Sequence, residues 1–163
     1  MNTTDTLTTL FRHNRWANVR ILERCAGLTD DQLAATIVGA YGSIRDTLQH
    51  IVTAERSYFS RISTGQPYRR PEDAPPLTIA EMTESMRTSG SGLIESAPKV
   101  QADDTVQVNR EGALLDVPKT ILLTQAINHA TEHRAQIMAI LTQLGIQPPN
   151  LDSWSYFAEL AQW

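Results

Sequence analysis

The sequence predicts an all-α protein built as a four-helix bundle. Three observations carry that reading. Apolar residues recur with a helical period through four long segments. Capping residues mark where these segments start, and glycine or proline marks where they stop. A long proline-rich crossover separates the second and third, which lets two neighbouring helices run parallel. A chain of 163 residues fits one domain, residues 1–163, and at that length about two-thirds of the surface can be buried without staples.

The first helix is expected over roughly 4–26. Leu7, Leu10, Phe11, Asn14, Ala17, Asn18, Ile21 and Leu22 share one face, and Gly27 is expected to end it as a left-handed cap. Thr29 and Gln32 stand at capping-box spacing. Ser43 caps the second long helix, which runs to about Ser63 with Leu48, Ile51, Val52, Phe59 and Ile62 on its main apolar face. "STGQPYRRPEDAPPL" then reads as an exposed crossover. The third helix starts at Thr78, with Glu81 completing a capping box. Its stripe is Ile79, Met82, Met86 and Leu93, and "SGSG" at 89–92 should weaken its second half. "TVQVNREGALLDV" alternates and turns at "NREG", which suggests a small hairpin. Pro118 sits in the first turn of the last long helix, about 118–144, which Gly145 and "QPPN" terminate. The tail "LDSWSYFAELAQW" should fold back as a short helix.

Composition excludes several function classes. Hydrophobic residues make up 41% and charged residues 20%, the balance of a globular protein. A net charge of −4 argues against broad binding to nucleic acid or anionic membranes. The single cysteine, Cys25, permits no internal disulfide. No window approaches a membrane span and the start does not read as a signal peptide, so the expected location is cytoplasmic. No phosphate-binding loop, dinucleotide fingerprint or serine-hydrolase elbow occurs.

The chemistry concentrates in "NHATEHRAQI". At 100° per residue His129 and His133 fall within the stripe of Leu122, Ala126, Ile137, Ile140 and Leu144, one turn apart. Two imidazoles at this spacing can share one ion, or each can be a hydrogen-bonded core residue. His50 is the best candidate for a third ligand, although alone it reads as an ordinary interhelical histidine and its case depends on the pair in the fourth helix. It lies on a stripe of small or mild residues, Ser43, Thr47, Ala54 and Ser57, where another helix could approach. His13 falls away from its helix's stripe and is expected at the surface.

Glu55 sits on an apolar face, where a structural hydrogen bond to Asn14 or Asn18 is favoured over an acid/base role. Glu132 completes "HATEH", an inverted zinc-protease pattern, but only 30 residues follow His133 to supply the downstream carboxylate ligand. Cys25 continues an apolar stripe and reads as an inert thiol. Trp16 lies opposite its helix's core stripe, as an exposed or tail-covered aromatic or as a dimer contact.

Four stretches together resemble the DinB family of small bacterial metal-binding helical bundles, which is itself similar to thiol-dependent S-transferases. "FRHNRWANVRIL" is similar to the family's opening Y-N-x-W-A-N-x-R-L-L. "GSIRDTLQHIVTAE" resembles its second-helix motif with the first histidine, and "HATEHRAQI" its H-x-x-x-H-R-G-Q-I, with Ala135 in place of glycine. "LGIQPPNLDSWSYF" is similar to its closing G-x-x-P-P-x-L-D. The resemblance spans almost the whole chain. It implies that His50, His129 and His133 bind a divalent ion, commonly zinc or nickel, in an up-down-down-up bundle that is often a homodimer. It also implies an enzyme in which a thiol cosubstrate such as bacillithiol or mycothiol, or a water, attacks a small electrophilic molecule. The rivals are a non-catalytic, stress-related metal-binding protein and a bundle without metal.

Overall fold

A computed structural model describes residues 5–161. The protein is mostly helical, with six α-helices and one two-stranded sheet among the described residues. Helix α1, Thr6–Cys25, starts where the Asp5 carboxylate accepts the backbone N–H of Thr8 at 2.9 Å. Its end differs from expectation. Ala26 leaves in the right-handed region at φ −62°, and Gly27 is not left-handed. Leu28 N–H bonds Cys25 O at 3.1 Å instead, so a tightened last turn satisfies the carbonyl and no chain reversal is needed. A single turn, α2 (Asp30–Leu33), carries the complete Thr29/Gln32 capping box.

Helix α3, Ile44–Thr64, is capped by Ser43 at one end and by left-handed Gly65, φ 76°, at the other. Residues 65–78 form the crossover, with neither helix nor strand. Helix α4, Ile79–Ser96, opens with the Thr78/Glu81 capping box and runs straight through the glycine-rich stretch. Packing explains this. A Cβ on Gly90 would come within 2.6 Å of Arg15 Cγ, and one on Gly92 would overlap the Phe59 ring. The glycines are where neighbouring elements press against α4, and that contact offsets their poor helix propensity.

Strands β1 (Thr105–Arg110) and β2 (Ala113–Pro118) pair antiparallel around a two-residue loop, Glu111–Gly112. Both loop residues have positive φ, 53° and 88°, as a tight hairpin turn demands. Helix α5, Lys119–Gln143, follows at once, so Pro118 stands at its cap rather than inside its first turn. Gly145, φ 70°, lies just beyond its end. The tail forms α6, Ser153–Ala161.

Helix α1 packs on α4 and α5, and α3 packs on the same two. The core falls into two apolar clusters. One joins Ile21 and Leu22 of α1, Leu48 of α3, Met82 and Met86 of α4, and Ile137 and Ile140 of α5. The other joins Phe11, Ile62, Leu93 and Leu122 from the opposite ends of those helices. Two sequence assignments shift: Leu10 and Leu144 are exposed.

Candidate metal centre

The three imidazoles of His50, His129 and His133 come together where α3 packs on α5. Their candidate ligand nitrogens all lie within 4.8 Å of one another. His50 Nε2 and His129 Nε2 are 2.9 Å apart, and the ring centroids are 4.5–4.8 Å apart. A tetrahedral ion bonded at about 2.0–2.1 Å sets its nitrogens about 3.3 Å apart, so the closest pair needs to move by only tenths of an ångström. Three imidazole nitrogens are donors that suit a transition-metal ion better than magnesium or calcium. The three-histidine group is therefore positioned to bind a metal ion.

Two residues that the sequence reading passed over organise it. Gln136 Oε1 lies 2.9 Å from His133 Nδ1 and also accepts the backbone N–H of Tyr41 at 3.2 Å. An amide oxygen only accepts, so Nδ1 carries the imidazole proton and Nε2 keeps its lone pair for a ligand. Tyr41 stacks on His50 at 4.0 Å and 13°, and meets His133 edge-on at 5.2 Å. The signal for Gln136 was its place three residues after a ligand histidine. Tyr41 lies before Ser43, outside any periodic segment, and gave no signal.

Burial sets the protonation of the pair. It pushes the His129 imidazole down to about 4, with His133 and His50 pushing the same way. Burial and then His133 lower His50. Both therefore stand neutral at neutral pH, the form that binds metal. His133 is buried while His50 and His129 are half-buried, so the site faces outward on one side. The buried stripe of α5 also includes Ala130, Arg134 and Leu141, which rotates its centre away from His129. A cleft of about 560 Å³ lined by Tyr41, Asp46, Gln49, His50 and Thr53 runs along one side.

Behind the site lies a buried polar network. The Glu55 carboxylate accepts from Asn14 Nδ2 at 3.2 Å, Asn18 Nδ2 at 2.9 Å and Ser89 Oγ at 2.7 Å. The favoured structural reading of Glu55 thus matches its surroundings. Arg134 Nη1 donates to Asn14 Oδ1 at 2.8 Å and Asn18 Oδ1 at 2.5 Å. Two amides therefore bridge a buried carboxylate and a buried guanidinium, one residue after His133. Burial raises Glu55 to about 7 against its hydrogen bonds and the Arg134 charge. It lowers Arg134 to about 10. Arg134 had a legible signal: a charge on the buried stripe of α5 needs an opposite charge within reach.

The remaining candidates fall outside the cluster. Glu132 is exposed on α5. Cys25 is fully buried, and its thiol is pushed up to about 12. His13 is not a free surface residue. Its Nε2 lies 2.8 Å from Leu151 O, and its ring packs on Trp16 and Tyr156. The tail that folds back over α1 covers it, and covers Trp16 at 5.3 Å from Tyr156. The small stripe near His50 also divides: Thr47 is buried, but Ala54 and Ser57 line a cleft instead of a helix seam.

The chain matches known proteins along nearly its whole length. The DinB family model matches residues 1–162. Protein DinB of Bacillus subtilis is 26% identical over 145 residues, covering 83% of this chain and 84% of that one. A DinB-like protein from Bacillus cereus superposes with TM-score 0.61 at 21% identity, covering 85% of this chain and 91% of the other. Another from Bacillus subtilis reaches 0.63 at 14% identity, covering 91% and 99%. At these identities the solved structures speak for the fold. With the family model spanning all but the last residue, the chain belongs to the DinB family.

Proposed function

We propose that His50, His129 and His133 hold one zinc or nickel ion, and that the protein is a cytoplasmic metal-dependent thiol S-transferase or hydrolase acting on a small electrophilic molecule. The convergence of three imidazoles at one outward-facing point carries this reading. Three protein ligands leave a coordination position open, as in catalytic rather than structural sites. A bound ion of this kind lowers the pKa of a water to about 7 and deprotonates a coordinating thiol. The chain's own residues prepare the place: Gln136 fixes the His133 tautomer, and Tyr41 shields His50 from one side. Glu55 acts through Asn14, Asn18 and Arg134, holding α1, α4 and α5 in register behind the ligands.

The transferase is favoured over the hydrolase by the family's likeness to thiol-dependent transferases. The placement of both core clusters supports the up-down-down-up order of the long helices. The exposed Trp154, Phe157 and Leu160 of α6 offer an apolar face that a second copy would cover in a homodimer. No described helix is long and apolar enough to cross a membrane.

Metal-loaded and metal-stripped protein should be screened with thiols, including bacillithiol and mycothiol, against a panel of electrophiles. Turnover that needs both metal and thiol establishes the transferase, and turnover without thiol the hydrolase. A saturated ion with no turnover of either kind overturns the enzyme reading in favour of a metal-binding protein without catalysis.

A further inference from the structure

A cleft of about 400 Å³ begins one helical turn from His50 and His129, between α3, the hairpin and the start of α5. Helix geometry places it there. Ala54 follows His50 by one turn on α3, and Gln125 precedes His129 by one turn on α5. Tyr58 stands at the junction. Its ring meets His129 edge-on at 6.0 Å. The room comes from small side chains, since Ala54 and Ser57 leave α3 thin where the hairpin stands off it. Val117 and Ile121 give an apolar wall.

The cleft also carries two cations from separate elements, Arg61 of α3 and Arg110 of β1, and no carboxylate lines it. Among the described residues neither guanidinium forms an ion pair. Two like charges sharing a cavity repel each other, and an anion relieves that repulsion. Planar guanidinium forks match a carboxylate in shape as well as charge.

We propose that this cleft binds a carboxylate-bearing small molecule, the cosubstrate or substrate of the three-histidine site. Its carboxylate lies on Arg61 and Arg110, its apolar body lies along Val117 and Ile121, and its reactive end lies at His129. The assignment rests on the metal reading only for what happens at that reactive end.

Cobalt(II)-loaded protein is titrated with ω-mercaptoalkanoates of increasing length and with the matching mercaptoalcohols, read by the thiolate-to-cobalt charge-transfer band. The best-fitting acid should bind roughly 10-fold more tightly than its alcohol. In Arg61→Gln/Arg110→Gln that preference should fall to about 2-fold or less, with cobalt content and alcohol affinity unchanged. Equal affinities in the unaltered protein, or a preference that survives the double substitution, overturn the proposal. If cobalt does not bind, the metal reading fails separately, and 4-phenylbutyrate is added to metal-free protein instead. NMR shifts at Tyr58 and Arg61 that vanish in the double variant then support the anion cleft, and their absence from the unaltered protein overturns it.

Discussion

At the residue scale, the cluster depends on side chains that touch its ligands as much as on the ligands. Gln136 is the clearest case, because it holds the proton of His133 on Nδ1. Gln136→Ala should lower zinc affinity by about 10–100-fold while leaving the melting temperature of metal-free protein nearly unchanged. Competition with a chromogenic chelator reads the first and thermal unfolding the second; equal zinc affinity would remove Gln136 from the site. Glu55 makes a different prediction. Its folded-state pKa is raised from 4.5 to about 7, so the folded protein favours the protonated form. The stability it contributes is full below pH ~4.5 and is lost as pH rises through about 7. Metal-free wild type should therefore lose stability relative to Glu55→Gln between pH 5 and 8, by on the order of 1–3 kcal/mol. Denaturant curves that stay parallel across that range would contradict this.

At the scale of elements, the glycines of α4 separate local preference from packing. Adding Cβ atoms improves helix propensity by about 1 kcal/mol per glycine in an exposed helix. Gly92 instead faces the Phe59 ring at overlapping distance. Gly92→Ala should therefore destabilise by about 1–3 kcal/mol through overpacking, measured by urea unfolding; a stabilised variant would show that α4 and α3 do not meet there. This is also where sequence reading ran short. The helix starts were legible because Ser43, Thr29 and Thr78 bond the next backbone N–H groups locally, and the hairpin because alternation and "EG" are local too. The end of α1 was not, since Gly27 only suggests a left-handed cap and nearby backbone bonds decide it. His13 was misplaced for a related reason: its partners, Leu151 and Tyr156, lie far along the chain. His50 could be singled out from phase together with the family motif, whereas the small stripe beside it looked the same whether it met a helix or bordered a cleft.

At the scale of the whole molecule, two distant stretches of the chain meet at one point. His50 reaches it from α3, His129 and His133 from α5, and Tyr41 from the loop before α3. An ion bound only by the folded arrangement stabilises the fold by linkage, so a chelator should lower the melting temperature of the metal-loaded protein, and by much less in His50→Ala. The most direct measurement is the metal content of untagged protein after equilibration with zinc and desalting, for wild type and His129→Ala. The account predicts one ion per chain in wild type and loss of most of it in the variant. Metal well below one ion per chain, unchanged by His129→Ala, would contradict it.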